Sequence, residues 1–118
     1  MKVTRIFTGP NQKSYFQDIE LQLNESEFGK LTAPIDTQNI LFGEIEESNE
    51  ITWHNPPCAQ YIIMLKGSVE IEIGDGSKRI FNEGDIMLAE DTTGQGHITR
   101  AISKGVRRYL VVPLKKPI

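Results

Sequence analysis

One cysteine, Cys58, two histidines and one tryptophan are all that this 118-residue chain has of those three residue types. A lone thiol excludes an internal disulfide and fits a reducing compartment. It sits between Pro57 and Ala59 with no basic neighbour or helix start to stabilise a thiolate, so it reads as inert. Long hydrophobic runs are missing as well. No stretch approaches the ~18 apolar residues of a bilayer-spanning helix, and the first residues, MKVTRIFTGP, lack the apolar centre of a signal peptide. The expected setting is cytoplasmic, with no membrane partner. Basic runs go no further than Arg107-Arg108 and Lys115-Lys116, and 13 Lys+Arg against 16 Asp+Glu leave a net charge of −3, which argues against nucleic acid. The last absence is of helical pattern: no segment keeps a 3.6-residue apolar period over ~11 residues.

What is present is a series of short alternating stretches with turn signals about every ten residues. Lys2 to Phe7 has no clean apolar face and predicts an edge strand, ended by Gly9-Pro10-Asn11. Ile19, Leu21 and Leu23 alternate with Asp18, Glu20 and Gln22, the mark of a strand with one face buried. Asn24 to Thr37 reads as a loop with room for one turn of helix. Ile40 to Ile45 resumes a strand, with Gly43 as a candidate bulge. An acidic connection at 46–50 leads to a short strand, Ile51 to His54, that Pro56-Pro57 must end or bend. Gln60 to Leu65 is apolar nearly throughout and suits a strand covered on both faces. Val69 to Ile73 alternates with Glu70 and Glu72 toward water, and Gly74-Asp75-Gly76-Ser77 is a hairpin signal. Ile80-Phe81, Ile86 to Leu88, His97 to Ser103 and Val106 to Val112 complete eight or nine strands. The expectation is one all-β domain over residues 1–118, a jelly-roll barrel with alternating faces around a central cavity.

Two stretches carry the chemistry. In Trp53 to Gly67, WHNPPCAQYIIMLKG, His54 stands at the double-proline bend. In Gly84 to Arg100, GDIMLAEDTTGQGHITR, an apolar strand runs into a polar loop that delivers His97. No helix pattern follows Gly94-Gln95-Gly96, so a phosphate cradle is not expected; the glycines suit a tight bend that re-aims His97. Neutral imidazole is a versatile transition-metal ligand, and two of them with an oxygen donor make an open site for a divalent ion. The candidate ligands are His54, His97 and Gln60, whose amide brings no charge. Glu90 or Asp91 is the candidate catalytic base or extra carboxylate. Being adjacent, they point oppositely on a strand and cannot both line one site. The plain alternative is that both histidines are ordinary polar residues at strand ends and Gln60 a hydrogen-bonding amide. Gln60, Tyr61, Met64 and Met87 are candidate ligand-binding residues, while Trp53, Tyr61, Phe42 and Met87 suit either a pocket wall or plain core.

These two stretches resemble the paired motifs of the cupin superfamily. The first family motif runs His-x-His, three or four residues, Glu, six residues, Gly; His54 takes the first position, Pro56 the second histidine's, Gln60 the glutamate's and Gly67 the glycine's. The second resembles Gly84-Asp85, a strand, then Pro-x-Gly-x-x-His, with Glu90 at the proline position and His97 two residues late. The resemblance covers about residues 40–112. It implies a double-stranded β-helix of the small single-domain kind, a homodimer, and a site between the sheets where family members hold iron, manganese, nickel, zinc or copper on three histidines and a glutamate. By that resemblance the expectation is a small polar or anionic molecule bound in the barrel, through a divalent metal such as Fe, Mn, Ni or Zn, with dioxygenase- or isomerase-like chemistry if it is an enzyme. The alternatives are a non-catalytic binding or sensing module without metal and a purely structural dimerisation domain.

Overall fold

A computed structural model describes residues 1–46 and 50–115, and among them no α-helix occurs. The centre of the acidic connection, 47–49, and Lys116 lie outside the described residues. Six strands form one sheet in the order β2 (Ser14–Glu20), β1 (Lys2–Thr8), β10 (Ile86–Glu90), β7 (Gln60–Lys66), β12 (Arg107–Pro113), β5 (Leu41–Ile45). Four form a second, in the order β6 (Glu50–His54), β11 (His97–Ala101), β8 (Val69–Glu72), β9 (Lys78–Phe81). A separate hairpin pairs β3 (Asn24–Ser26) with β4 (Gly29–Leu31).

The two larger sheets pack face to face. Their common core takes Ile6, Met64, Met87 and Ala89 from the six-stranded sheet and Val69, Ile71 and Phe81 from the four-stranded one. Alternation decides which residues enter it. On β10, Met87 and Ala89 turn inward while Ile86, Leu88 and Glu90 turn to the outer face; on β7, Ile62 and Met64 turn inward and Tyr61 and Ile63 outward. The result is a two-sheet β-sandwich, compatible with a jelly-roll. The sheets are open at their edges and do not close into a barrel.

Three local expectations give way. Strand β1 is not an edge: it pairs antiparallel with β2 and parallel with β10, and Val3 and Ile6, of opposite parity, are both buried, which is why its sequence shows no single apolar face. Residues 24–31 form a hairpin, and among the described residues the helical turn is a short 3₁₀ turn at Pro10–Gln12. Gly43 is not a bulge, since β5 pairs with β12 in unbroken register; a Cβ there would meet the Tyr109 ring.

Candidate functional site

Strand pairing brings the histidines together. His54 ends β6, His97 begins β11, and the two are register partners, with a bulge between His97 and Thr99. Their ring centroids lie 4.5 Å apart with planes at 63°. The bend before His97 needs its glycine: Gly96 has φ +75°, and a Cβ there would overlap the carbonyl of His54. The side-chain amide of Asn55 donates to the carbonyls of Asp91 and Thr93 at 2.9 and 3.0 Å, fastening the loop to the bend after β6.

Both imidazoles are fixed through Nδ1. That of His54 lies 2.9 Å from the carbonyl oxygen of Thr52, an acceptor, so Nδ1 carries the proton. That of His97 lies 2.6 Å from Oδ2 of Asp91, which also accepts from Ser14 Oγ at 2.7 Å. Asp91, Ser14 and His97 are buried, at 0%, 2% and 3% exposure, so this is an interior hydrogen-bonded chain and not a surface contact. In the neutral rings these partners leave the lone pair on Nε2, the nitrogen that ligates or accepts a proton.

The histidines line a cavity of about 130 Å³ between the sheets, walled by Ile45, Ile51, Ile62, Met64, Val69, Ile71 and Met87 and completed by Thr99, Tyr109 and Arg107. Arg107 is buried, and its stem packs where a Cβ on Gly67 would meet it. Val69, two residues on from Gly67, pairs with Ala101, four residues along β11 from His97. Gly67 lies two residues further along, so at ~3.3 Å per residue the Arg107 stem beside it is about 20 Å along the strand from the imidazoles. The cavity is therefore apolar along its length, with imidazoles at one end and the Arg107 stem toward the other.

Of the residues expected at the site, His54, His97, Met64 and Met87 line this cavity. Asp91 reaches it through His97. Gln60 is buried at the start of β7 on the inward parity but is not among the lining residues. Glu90 turns to the outer face, where Arg5 Nε donates to it at 2.6 Å, and Tyr61 lines a different hollow on that face. Burial, with Glu90 nearby, pushes the Tyr61 phenol above its usual range. Trp53 and Phe42 are neither wall nor core, being 39% and 79% exposed. Among the described residues, no group of three or more His, Cys, Asp or Glu side chains is arranged to hold a metal. Ser14, Asn55, Thr99, Arg107 and Tyr109 went unread in the sequence; only Arg107 gave a signal, a charge inside an otherwise apolar strand.

No family model matches this chain, and no curated protein does. Among solved structures it is similar to protein NMB1881 from Neisseria meningitidis, at 15% identity over 70% of this chain and 83% of that one, with a TM-score of 0.49. It is similar to SPY1581, a conserved protein of unknown function from Streptococcus pyogenes, at 20% identity over 85% and 97% of the two chains, TM-score 0.47. A candidate ethanolamine utilization protein Q from Salmonella typhimurium covers 99% of this chain and 98% of its own at 14% identity, TM-score 0.47.

Proposed function

We propose that this protein is a small cupin-like binding protein whose inter-sheet cavity takes a small polar or anionic molecule with an apolar body. The observation that carries the reading is the pair of imidazoles held through Nδ1 on the wall of one largely apolar cavity. The wall also offers polar groups to such a guest, the Thr99 hydroxyl and the Tyr109 phenol together with the two imidazoles. Size limits the guest. A cavity of about 130 Å³ suits a guest of a few heavy atoms such as a short carboxylate.

A divalent ion held by His54 and His97 is a second reading, favoured by the same Nδ1 anchoring, which is how ligating histidines are oriented. The donor set is two imidazoles, because neither Gln60 nor Asp91 is among the residues that line the cavity. That is one short of the three protein ligands of an ordinary catalytic zinc site. An ion would supply Lewis acidity when bound, and the guest would have to add donors. In either reading Asp91 holds His97 in one orientation and tautomer, and the aliphatic wall excludes water from the guest.

The test is a thermal-shift and calorimetric screen of short carboxylates against their neutral amides, with and without Mn²⁺, Zn²⁺ or Ni²⁺. Binding at 100 times Kd adds about 2.7 kcal/mol to stability. The expected result is stabilisation by short carboxylates that His54→Ala and His97→Ala abolish. Stabilisation only when metal and carboxylate are added together would favour the second reading. No response to any of these would sink both.

A further inference from the structure

A second hollow lies on the side of the six-stranded sheet that faces away from the imidazoles. Register sets Phe42 of β5, Leu110 of β12, Ile63 of β7 and Ile86 of β10 side by side across this outer face. Over the middle of that row the chain between β2 and β5 forms a wall: Leu21, Leu23, Leu31 and Ile35 join Ile63 and Ile86 around a half-open groove of about 360 Å³. That is within the range of small-molecule sites and larger than the 130 Å³ between the sheets.

The make-up of the groove says what fits it. Strand β7 lies between β10 and β12, and β10 between β1 and β7, so the backbone N–H and C=O groups of the floor are spent within the sheet. A peptide laid there would leave its own backbone groups without partners, whereas a hydrocarbon chain has none to lose. Among the described lining residues Tyr61 is the one aromatic ring and the rest of the apolar wall is aliphatic, which suits methylene groups better than stacked planar rings. Charge selects the head group. Lys30 of β4 is the one charged side chain among those residues. Its ammonium is 3.8 Å from Glu25, and the two are 64% and 81% exposed, a loose surface pair that an incoming anion replaces at little cost. The Thr32 and Thr37 hydroxyls and the Tyr61 phenol line the same groove as hydrogen-bond donors. The β3–β4 arm that carries Lys30 and Leu31 has no packed face of its own: all six of its strand residues are exposed, and such a hairpin is marginal alone. A guest beneath it supplies the missing contact.

We propose that this groove binds an aliphatic monocarboxylate of medium chain length, taken from solution, with its alkyl chain along Ile63 and Ile86 and its carboxylate at Lys30. The site is separate from the one between the sheets, because Ile62 and Met64 of β7 line the cavity of the imidazoles while Tyr61 and Ile63 line the groove. One lysine is too few to hold an anionic membrane surface, which takes a cluster of basic residues.

Calorimetry on the full chain with octanoate, decanoate and dodecanoate, each below its micellar concentration, is expected to show binding that tightens about two- to fourfold per added methylene, the range for a chain half to wholly withdrawn from water. Decanol should bind up to about fivefold more weakly than decanoate, a difference that Lys30→Glu erases. Leu31→Asn and Ile35→Asn should weaken both probes with an unchanged circular dichroism spectrum, since these side chains are already 51% and 44% exposed. In spectra of methyl-labelled chain, decanoate should shift Ile63 and Ile86 and leave Met64 and Met87 in place. No binding of any of these acids overturns the proposal. So does affinity indifferent to Leu31→Asn and Ile35→Asn, so do shifts confined to Met64 and Met87, and so does cosedimentation with phosphatidylglycerol vesicles by a chain that binds no free acid.

Discussion

The two faces of the six-stranded sheet use the same residue types and do different work. Inward, Met64, Met87 and Ala89 meet a second sheet and leave a cavity with two imidazoles in it; outward, among the described residues, Ile63 and Ile86 meet no sheet and line an open groove with Leu21, Leu23, Leu31 and Ile35. Alternation along β7 and β10 feeds both faces from one run of apolar residues, so what differs is the cover. A face closed by its own chain can hold buried polar groups in fixed orientations, as Asp91 and Ser14 hold His97. An open apolar face offers area and shape but no such fixed chemistry.

The sharpest way to break the comparison is at the bend that builds the inner site. Gly96→Ala forces a positive φ on a residue with a Cβ and drives it into the His54 carbonyl, so a loss on the order of 3 kcal/mol or more is expected in urea unfolding. Gly76→Ala is the control, because Gly76 also has a positive φ but open space around it; its cost should stay near ~1 kcal/mol. Equal costs would mean that contact with His54 does not constrain the bend.

A smaller effect separates closed face from open face. Met87→Ala should lose about 2–5 kcal/mol, the range for emptying a buried site. Ile63→Ala should lose less, because Ile63 is only half-buried and faces an open groove. Equal losses at Met87 and Ile63 would mean that the outer face is as closed as the inner one.

The smallest effect reads the outer face directly. Two causes raise the Tyr61 phenol, burial first and then the negative charge of Glu90, and both disfavour phenolate. Removing the charge with Glu90→Gln should therefore lower the Tyr61 midpoint toward the ordinary value near ~10 in an ultraviolet titration, while burial keeps it from falling further. An unmoved midpoint would show that Glu90 is not felt at Tyr61.

Much of the strand pattern was legible. The alternation of 69–73, the hairpin glycines at 74–76 and the apolar run at 60–65 each specify a local conformation through steric and solvation rules that need no partner. The β3–β4 arm was less so, since six exposed residues leave no period to read. Strand β1 hid for the opposite reason, being covered on both sides by neighbours far along the chain. At the site, the bend at His97 could be inferred from Gly94 and Gly96. The roles of Glu90 and Asp91 could only be stated as exclusive, because parity says that two neighbours diverge and not which one faces the core.

By itself the sequence determined an all-β chain, the positions of its turns and the two places where an imidazole could stand, since each follows from side-chain chemistry within a few residues. Tertiary structure decided that His97 pairs with His54, that Asp91 and Ser14 anchor it, that Arg107 shares their cavity, and that an apolar row from Phe42 to Ile86 is left without a sheet to cover it. The physical reason is that strand order and register are set by the joint burial of residues distant in the chain, and no local pattern encodes which strand will lie beside which.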